Sequence, residues 1–214
     1  MNKLSYLDKF NIWRRKLRWN RQYKKGRWDY LKDDKEAPRY AKIIELIKYH
    51  SKKKPSILDL GSGEGVLRIR LDTENIGYFL GIDFSKFSIE TANKYNFKNT
   101  DFHVKDLHYY KPPQEFDVII FNEAFYYIND TVKARVLNRV LGKLKKGGIL
   151  INSIFREGSG CWEYFDIPEL EQLDFCKVNS NEGTVYWKLG VYRKKQAFNL
   201  LDFFNTEISP SPLF

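Results

Sequence analysis

The chain has 214 residues, 43% of them apolar, enough to bury one sizeable core, and it contains no run of about 18 apolar residues to cross a bilayer as a helix. The net charge is +10, but residues 1–28 carry ten Lys/Arg against Asp8 alone, so +9 sits in that segment and +1 in the remainder. Cys161 and Cys176 form no metal-ligand cluster, and the start has neither the apolar stretch nor the cleavage site of a secretory signal. These features read as a cytosolic protein with reduced thiols and no metal.

In chain order, Leu4, Leu7, Phe10, Trp13 and Leu17 recur at spacings of three and four, one apolar stripe of a helix whose basic residues lie mostly elsewhere. "KGRWDYLKDDKEAP" breaks that pattern, and residues 39–50 resume it through Tyr40, Ile43, Ile44 and Ile47. Residues 1–35 thus read as a basic helical extension and lid, and 36–214 as the main domain. "SILDL" is a buried strand, followed by a glycine turn at Gly61–Gly65 and a short helix to Leu71. "YFLGID" is a second strand, and 85–95 a helix that Ser85 caps. "DFHVKD" and "FDVIIF" follow as strands. Residues 131–145 form a helix with Val132, Val136, Leu137, Val140, Leu141 and Leu144 inward, stopped by "KKGG". "ILINSIF" is a fifth strand, "WEYFDIPELEQL" a helix around Pro168, and "TVYWKLGVYRK" a late strand. Strands alternating with helices predict an α/β fold with a largely parallel sheet covered on both faces.

The strongest motif is "ILDLGSGEG", a strand, a glycine turn and a helix start. Glycine lets the backbone bend tightly and approach a nucleotide-like ligand at the carboxyl edge of a sheet. Gly61, Ser62 and Gly63 form the turn. The third glycine of a dinucleotide fingerprint is replaced by Val66. Asp59, just before the turn, would repel a pyrophosphate but suits an ammonium group, which favours S-adenosylmethionine. Asp83 ends the second strand, where a carboxylate can accept both ribose hydroxyls. Asp106 is placed for an adenine amino group, with Phe84 and Leu107 as apolar walls.

Taken together, Asp59-x-Gly61-x-Gly63-x-Gly65, Asp83, Asp106, "FDVIIFNE" and "LKKGGILI" resemble the ordered motifs of class I S-adenosylmethionine-dependent methyltransferases over roughly residues 39–155. The resemblance implies a Rossmann-like sheet of seven strands with a reversed last strand near 185–193. It also implies cofactor roles for Asp59, Gly61, Gly63, Asp83 and Asp106. "GRWDYL", "APRY", "LDLGSGEG" and "FNEAFYYI" are similar in short pieces to bacterial saccharide-biosynthesis methyltransferases, including the nodulation-factor N-methyltransferases.

Asn122 and Glu123 end the fourth strand, at the edge where the transferred methyl should emerge. Methyl transfer needs an aligned nucleophile and a dry site, and Glu123 is the candidate general base, with His108 as another. Asn122 also borders the cofactor. Phe125, Tyr126 and Tyr127 are candidate acceptor walls, as are Trp28 and Tyr30, because aromatic faces line sugar and cation sites. Arg39 is placed to grip a methionine carboxylate with both prongs. The expected acceptor is an amine or hydroxyl of a saccharide or other small metabolite, in surface polysaccharide synthesis. The basic segment has three readings: a packed, solvated helix, a helix lying on an anionic membrane face, or an RNA-docking helix. The last would suit an RNA or protein methyltransferase. A non-catalytic cofactor-binding scaffold is the remaining alternative.

Overall fold

A computed structural model describes residues 3–158, 160–183 and 185–195. Helix α1 (Tyr6–Lys24) begins in a capping box: Ser5 Oγ accepts from the Asp8 N–H at 3.0 Å, and Asp8 Oδ2 accepts from the Ser5 N–H at 2.9 Å. Two 3-10 turns, Asp29–Lys32 and Asp34–Glu36, lead to α2 (Ala37–His50). Pro38 sits in the first turn of α2, where its missing N–H costs nothing.

Strands and helices then alternate: β1 (Ser56–Leu60), α3 (Val66–Arg70), β2 (Tyr78–Asp83), α4 (Lys86–Asn93), β3 (Thr100–Val104), β4 (Phe116–Asn122), α5 (Asp130–Leu141) and β5 (Leu144–Phe155). Strands β6 (Leu170–Asn179) and β7 (Tyr186–Lys194) complete one sheet of order β3-β2-β1-β4-β5-β7-β6. β7 runs antiparallel to both its neighbours, and the other pairs are parallel. The architecture is the Rossmann-like sheet of seven strands that the family resemblance implies, reversed strand included. Chain order reverses between β1 and β4, so the crevice beyond their carboxyl ends is where a ligand seats. Alternate residues of the central strands face opposite sides. Leu58, Leu60 and Phe121 meet Val132, Val136 and Val140 of α5, while Ile57, Val118 and Ile120 meet Tyr40, Ile43 and Ile47 of α2. Burial on both faces explains why these strands read as unbroken apolar runs.

Two expected elements differ. "KKGG" does not stop α5, which ends at Leu141 with Gly142 still in right-handed geometry. That stretch lies inside β5 as a bulge: Leu144 opposes Phe116 and Ile149 opposes Val118, with Gly147 at φ 73° absorbing the surplus chain. "WEYFDIPELEQL" is not a helix. One 3-10 turn, Trp162–Phe165, precedes Pro168, and the chain then extends into edge strand β6. Proline disfavours helix in the residue before it, and pairing with β7 settles the rest. The apolar stripe of α1 also splits: Leu4 is buried, but Leu7, Phe10, Trp13 and Leu17 are exposed. Among the described residues, no helix is long and apolar enough to cross a membrane.

Candidate active site

The glycine turn is pinned to the sheet from below. The Gly61 and Ser62 N–H groups donate to the Ile82 carbonyl at 2.8 and 2.9 Å. Gly61 has φ 87°, and a Cβ there would stand 2.6 Å from Ala124 Cβ. Gly63 has φ 54°, its N–H donates to Asp83 Oδ2 at 3.1 Å, and a Cβ there would stand 2.8 Å from the Tyr23 hydroxyl. Only glycine fits a left-handed turn pressed this closely between the end of β4 and α1. Asp83 also accepts the Ser85 N–H at 2.7 Å, and burial pushes its carboxyl up to about 6 despite these bonds. Burial, reinforced by the Asp83 charge, lifts Asp59 to about 7. Asp59 Oδ1 and Ser62 Oγ are buried without a partner. Both atoms keep the capacity to bond a ligand group.

Above the turn lies a cavity of about 490 Å³, within the range of small-molecule sites. Gly61, Asp83, Asn122, Glu123 and Ala124 lie along its sheet side. Its walls are aromatic: Trp19 and Tyr23 of α1, Trp28 and Tyr30 beyond it, Tyr126 and Tyr127, and Trp187 of β7. Trp28 stacks on Trp19 at 4.9 Å and keeps a buried, unpartnered Nε1 donor. The lining carries four carboxylates, Glu36, Asp83, Glu123 and Glu182, against two cations, Lys35 and Arg39.

Glu123 holds the most constrained position. Its φ of 58° turns the chain sharply at the end of β4. The carboxylate then accepts the Tyr126 hydroxyl at 2.9 Å and the Ser153 hydroxyl of β5 at 2.9 Å. Burial raises its pKa, while the Arg39 charge and the two hydroxyls oppose that rise. Asn122 Oδ1 accepts from Arg39.

Several expected placements are corrected. Arg39 does line the cavity, but its fork is split between Asn122 and Glu36, the latter at 2.9 Å, with the guanidinium packed 4.4 Å from the Tyr40 ring centre. It offers no free two-pronged grip on a carboxylate. Phe125 is absent from the cavity; it is fully buried against Phe121, Tyr164 and Phe165. His108 is no base for this site: Nδ1 lies 2.6 Å from Asp106 Oδ1, and Nε2 accepts the Asn129 N–H at 3.1 Å. That second bond places the proton on Nδ1. Asp106 lies with Phe84, Leu107 and Lys16 around a separate cavity of about 40 Å³. Lys16 Nζ of α1 forms an ion pair 2.5 Å from Asp106 Oδ2. Burial opposes ionisation of Asp106, but His108 and Lys16 outweigh it and hold the carboxyl at about 2. Its acceptor capacity is thus largely committed, and an adenine amino group must share it with Lys16. Phe84 and Leu107 border both cavities.

Sequence reasoning missed Trp19, Tyr23, Glu36, Ser153 and Trp187. Trp19 and Tyr23 stand four apart in α1 on the side away from the apolar stripe, a spacing visible in the sequence. Ser153 and Trp187 come from strands β5 and β7 and carry no local signal.

A methyltransferase-domain family model matches residues 51–188. The chain belongs to the methyltransferase-domain family. A malonyl-[acyl-carrier protein] O-methyltransferase of Ilyobacter polytropus is 30% identical to this methyltransferase-family chain over 164 residues, 74% of the chain and 59% of that relative. A second such enzyme, of Acetivibrio thermocellus, is 30% identical over 53% of the chain, which spans 40% of its length. The chain thus spans about half the length of these curated relatives. In fold it is similar to N-methyltransferase NodS of Bradyrhizobium japonicum with S-adenosyl-L-homocysteine: TM-score 0.65, 16% identity, 78% of the chain and 91% of NodS. A Burkholderia thailandensis 1,6-didemethyltoxoflavin-N1-methyltransferase gives TM-score 0.73 at 13% identity over 91% of the chain and 92% of that enzyme. Membership implies S-adenosylmethionine as cofactor, and the residues present fit it. The orphaned Asp59 Oδ1 suits an ammonium, Asp83 a pair of hydroxyls, and the glycine cradle a closely seated backbone contact.

Proposed function

We propose that this chain transfers the methyl group of S-adenosylmethionine to an amine nitrogen on a small ring-bearing acceptor, amino sugars among them. The bound cofactor supplies an electrophilic methyl on a sulfonium. The observation that carries the acceptor class is Glu123, buried in an aromatic-walled cavity and held by the hydroxyls of Tyr126 and Ser153. An amine enters largely protonated, and an aromatic wall with an excess of carboxylates attracts that cation. Glu123 accepts its proton and frees the nitrogen lone pair. Its pKa, raised by burial, brings its basicity closer to the amine's. Tyr126 and Ser153 fix the carboxylate's direction, and Trp19, Trp28 and Tyr127 keep water from the reacting atoms.

The same lining disfavours an anionic acceptor. The curated relatives are named for O-methylation of a malonyl group, yet here four carboxylates face two cations, and Arg39 is committed to Glu36 and Asn122. A saccharide ring finds stacking faces on Trp28 and Tyr30, which keeps the sugar reading. The test is transfer of labelled methyl to a panel of amino sugars, aromatic amines, neutral sugars and malonyl thioesters. Product should form with amines alone. Methyl esters of malonyl thioesters, or ethers of neutral sugars, without N-methyl product would overturn the reading.

A further inference from the structure

Helix α1 carries apolar groups on both sides. Its inward side buries Ile12 and Tyr23 and is also bonded to the domain through polar side chains. Asp8 Oδ1 accepts from Asn129 Nδ2 at 3.0 Å, Arg15 donates to the Tyr127 carbonyl at 2.6 Å, and Lys16 pairs with Asp106. Asn20 Oδ1 accepts from the Ser85 hydroxyl and the Phe87 N–H, each at 3.1 Å. The outward side leaves apolar groups in solvent: Tyr6 is 92% exposed, Leu7 68%, Phe10 51%, Trp13 53% and Leu17 50%. Tyr6, Phe10, Trp13 and Leu17 follow spacings of four, three and four, so they form one continuous ridge. A helix packed on a domain normally keeps its solvent side polar, and a contiguous apolar ridge in solvent marks an interaction surface.

Charge identifies what covers it. Exposed Arg14, Arg18, Arg21 and Lys24 lie on or beside the ridge, and Asp8, the sole acid between Lys3 and Arg27, points inward. We infer that α1 docks this protein on an anionic lipid surface, with Phe10, Trp13 and Leu17 entering the headgroup boundary and the flanking cations meeting lipid phosphates. A lone convex helix suits a fluid surface that moulds around it. A second copy of the chain would bring two cationic helices face to face, and like charges repel. Nucleic acid answers the cations and the rings but gives Leu7 and Leu17 nothing to bury against. Docking through the outward ridge leaves the inward contacts to Asp106, Ser85 and Tyr127 undisturbed.

Co-sedimentation of the full chain with vesicles decides this. Wild type should pellet with phosphatidylglycerol-rich vesicles about tenfold more than with pure phosphatidylcholine. The exposed double variant Phe10→Ser/Trp13→Ser should lose about tenfold in vesicle affinity, with an unchanged melting midpoint. Arg14→Glu/Arg18→Glu should abolish the preference for anionic lipid. No preferential pelleting of the wild type, or wild-type pelleting by Phe10→Ser/Trp13→Ser, would overturn the proposal. So would tRNA binding that displaces the vesicles and survives the Phe10→Ser/Trp13→Ser change, which would assign the face to nucleic acid.

Discussion

Glu123 sits at φ 58°, a left-handed backbone that costs a non-glycine residue about 1–2 kcal/mol. The neighbours hold it there: its N–H donates to the Ser153 carbonyl at 3.1 Å, and its carboxylate accepts from Ser153 and Tyr126. Strained backbone concentrates at functional sites, and this residue stands at the cavity wall. Glu123→Gln keeps the shape and removes the proton acceptor. Steady-state kinetics should show kcat lower by about 10²–10⁴, with cofactor affinity unchanged. In the wild type, kcat/KM should rise with pH through the raised Glu123 pKa, since the protonated carboxyl accepts nothing; that limb should vanish in the variant. Near-normal turnover in Glu123→Gln would reduce this residue to a structural role.

At the scale of elements, the glycine turn and the helix that follows β4 show what close approach demands. Gly61→Ala places a methyl 2.6 Å from Ala124 Cβ at φ 87°, so both strain and collision act. Thermal unfolding should report a loss of about 1–2 kcal/mol from backbone strain alone, and calorimetry a loss of cofactor binding. Gly142 offers the contrast: it ends α5 at φ −64°, and a Cβ there meets nothing nearer than 3.5 Å. Gly142→Ala should stabilise by about 0.4–1 kcal/mol through the unfolded chain. The β1 turn, Asp83 and the β4 terminus were legible because each is a local pattern: strand, then polar residue or glycine. The bulge in β5 and the strand nature of β6 were not. Both are set by register with a distant partner strand, and "LKKGG" and "ELEQL" read equally well as helix ends.

Across the whole molecule, the largely parallel sheet was legible in the alternation of strands and helices, whereas the seven strands and the reversed one came from the family resemblance alone. The acceptor walls were only half legible. Trp28, Tyr30, Tyr126 and Tyr127 were singled out and line the cavity, but Phe125, one residue from Tyr126, turns into the core. Three adjacent aromatics cannot all face one way in a 3-10 turn, and the sequence does not say which one faces inward. Trp187 and Ser153 arrive from strands far along the chain. The inward side of α1 lines the cleft with Trp19 and Tyr23, while its outward side carries the exposed ridge. The cleft between β1 and β4 is expected to bind S-adenosylmethionine through Asp83 and the glycine turn. Isothermal titration of S-adenosylhomocysteine into wild type and Asp83→Ala measures this. One saturable site, weakened by about 1–3 kcal/mol in Asp83→Ala, is the predicted result; no binding to the wild type, or equal binding to both, would contradict it.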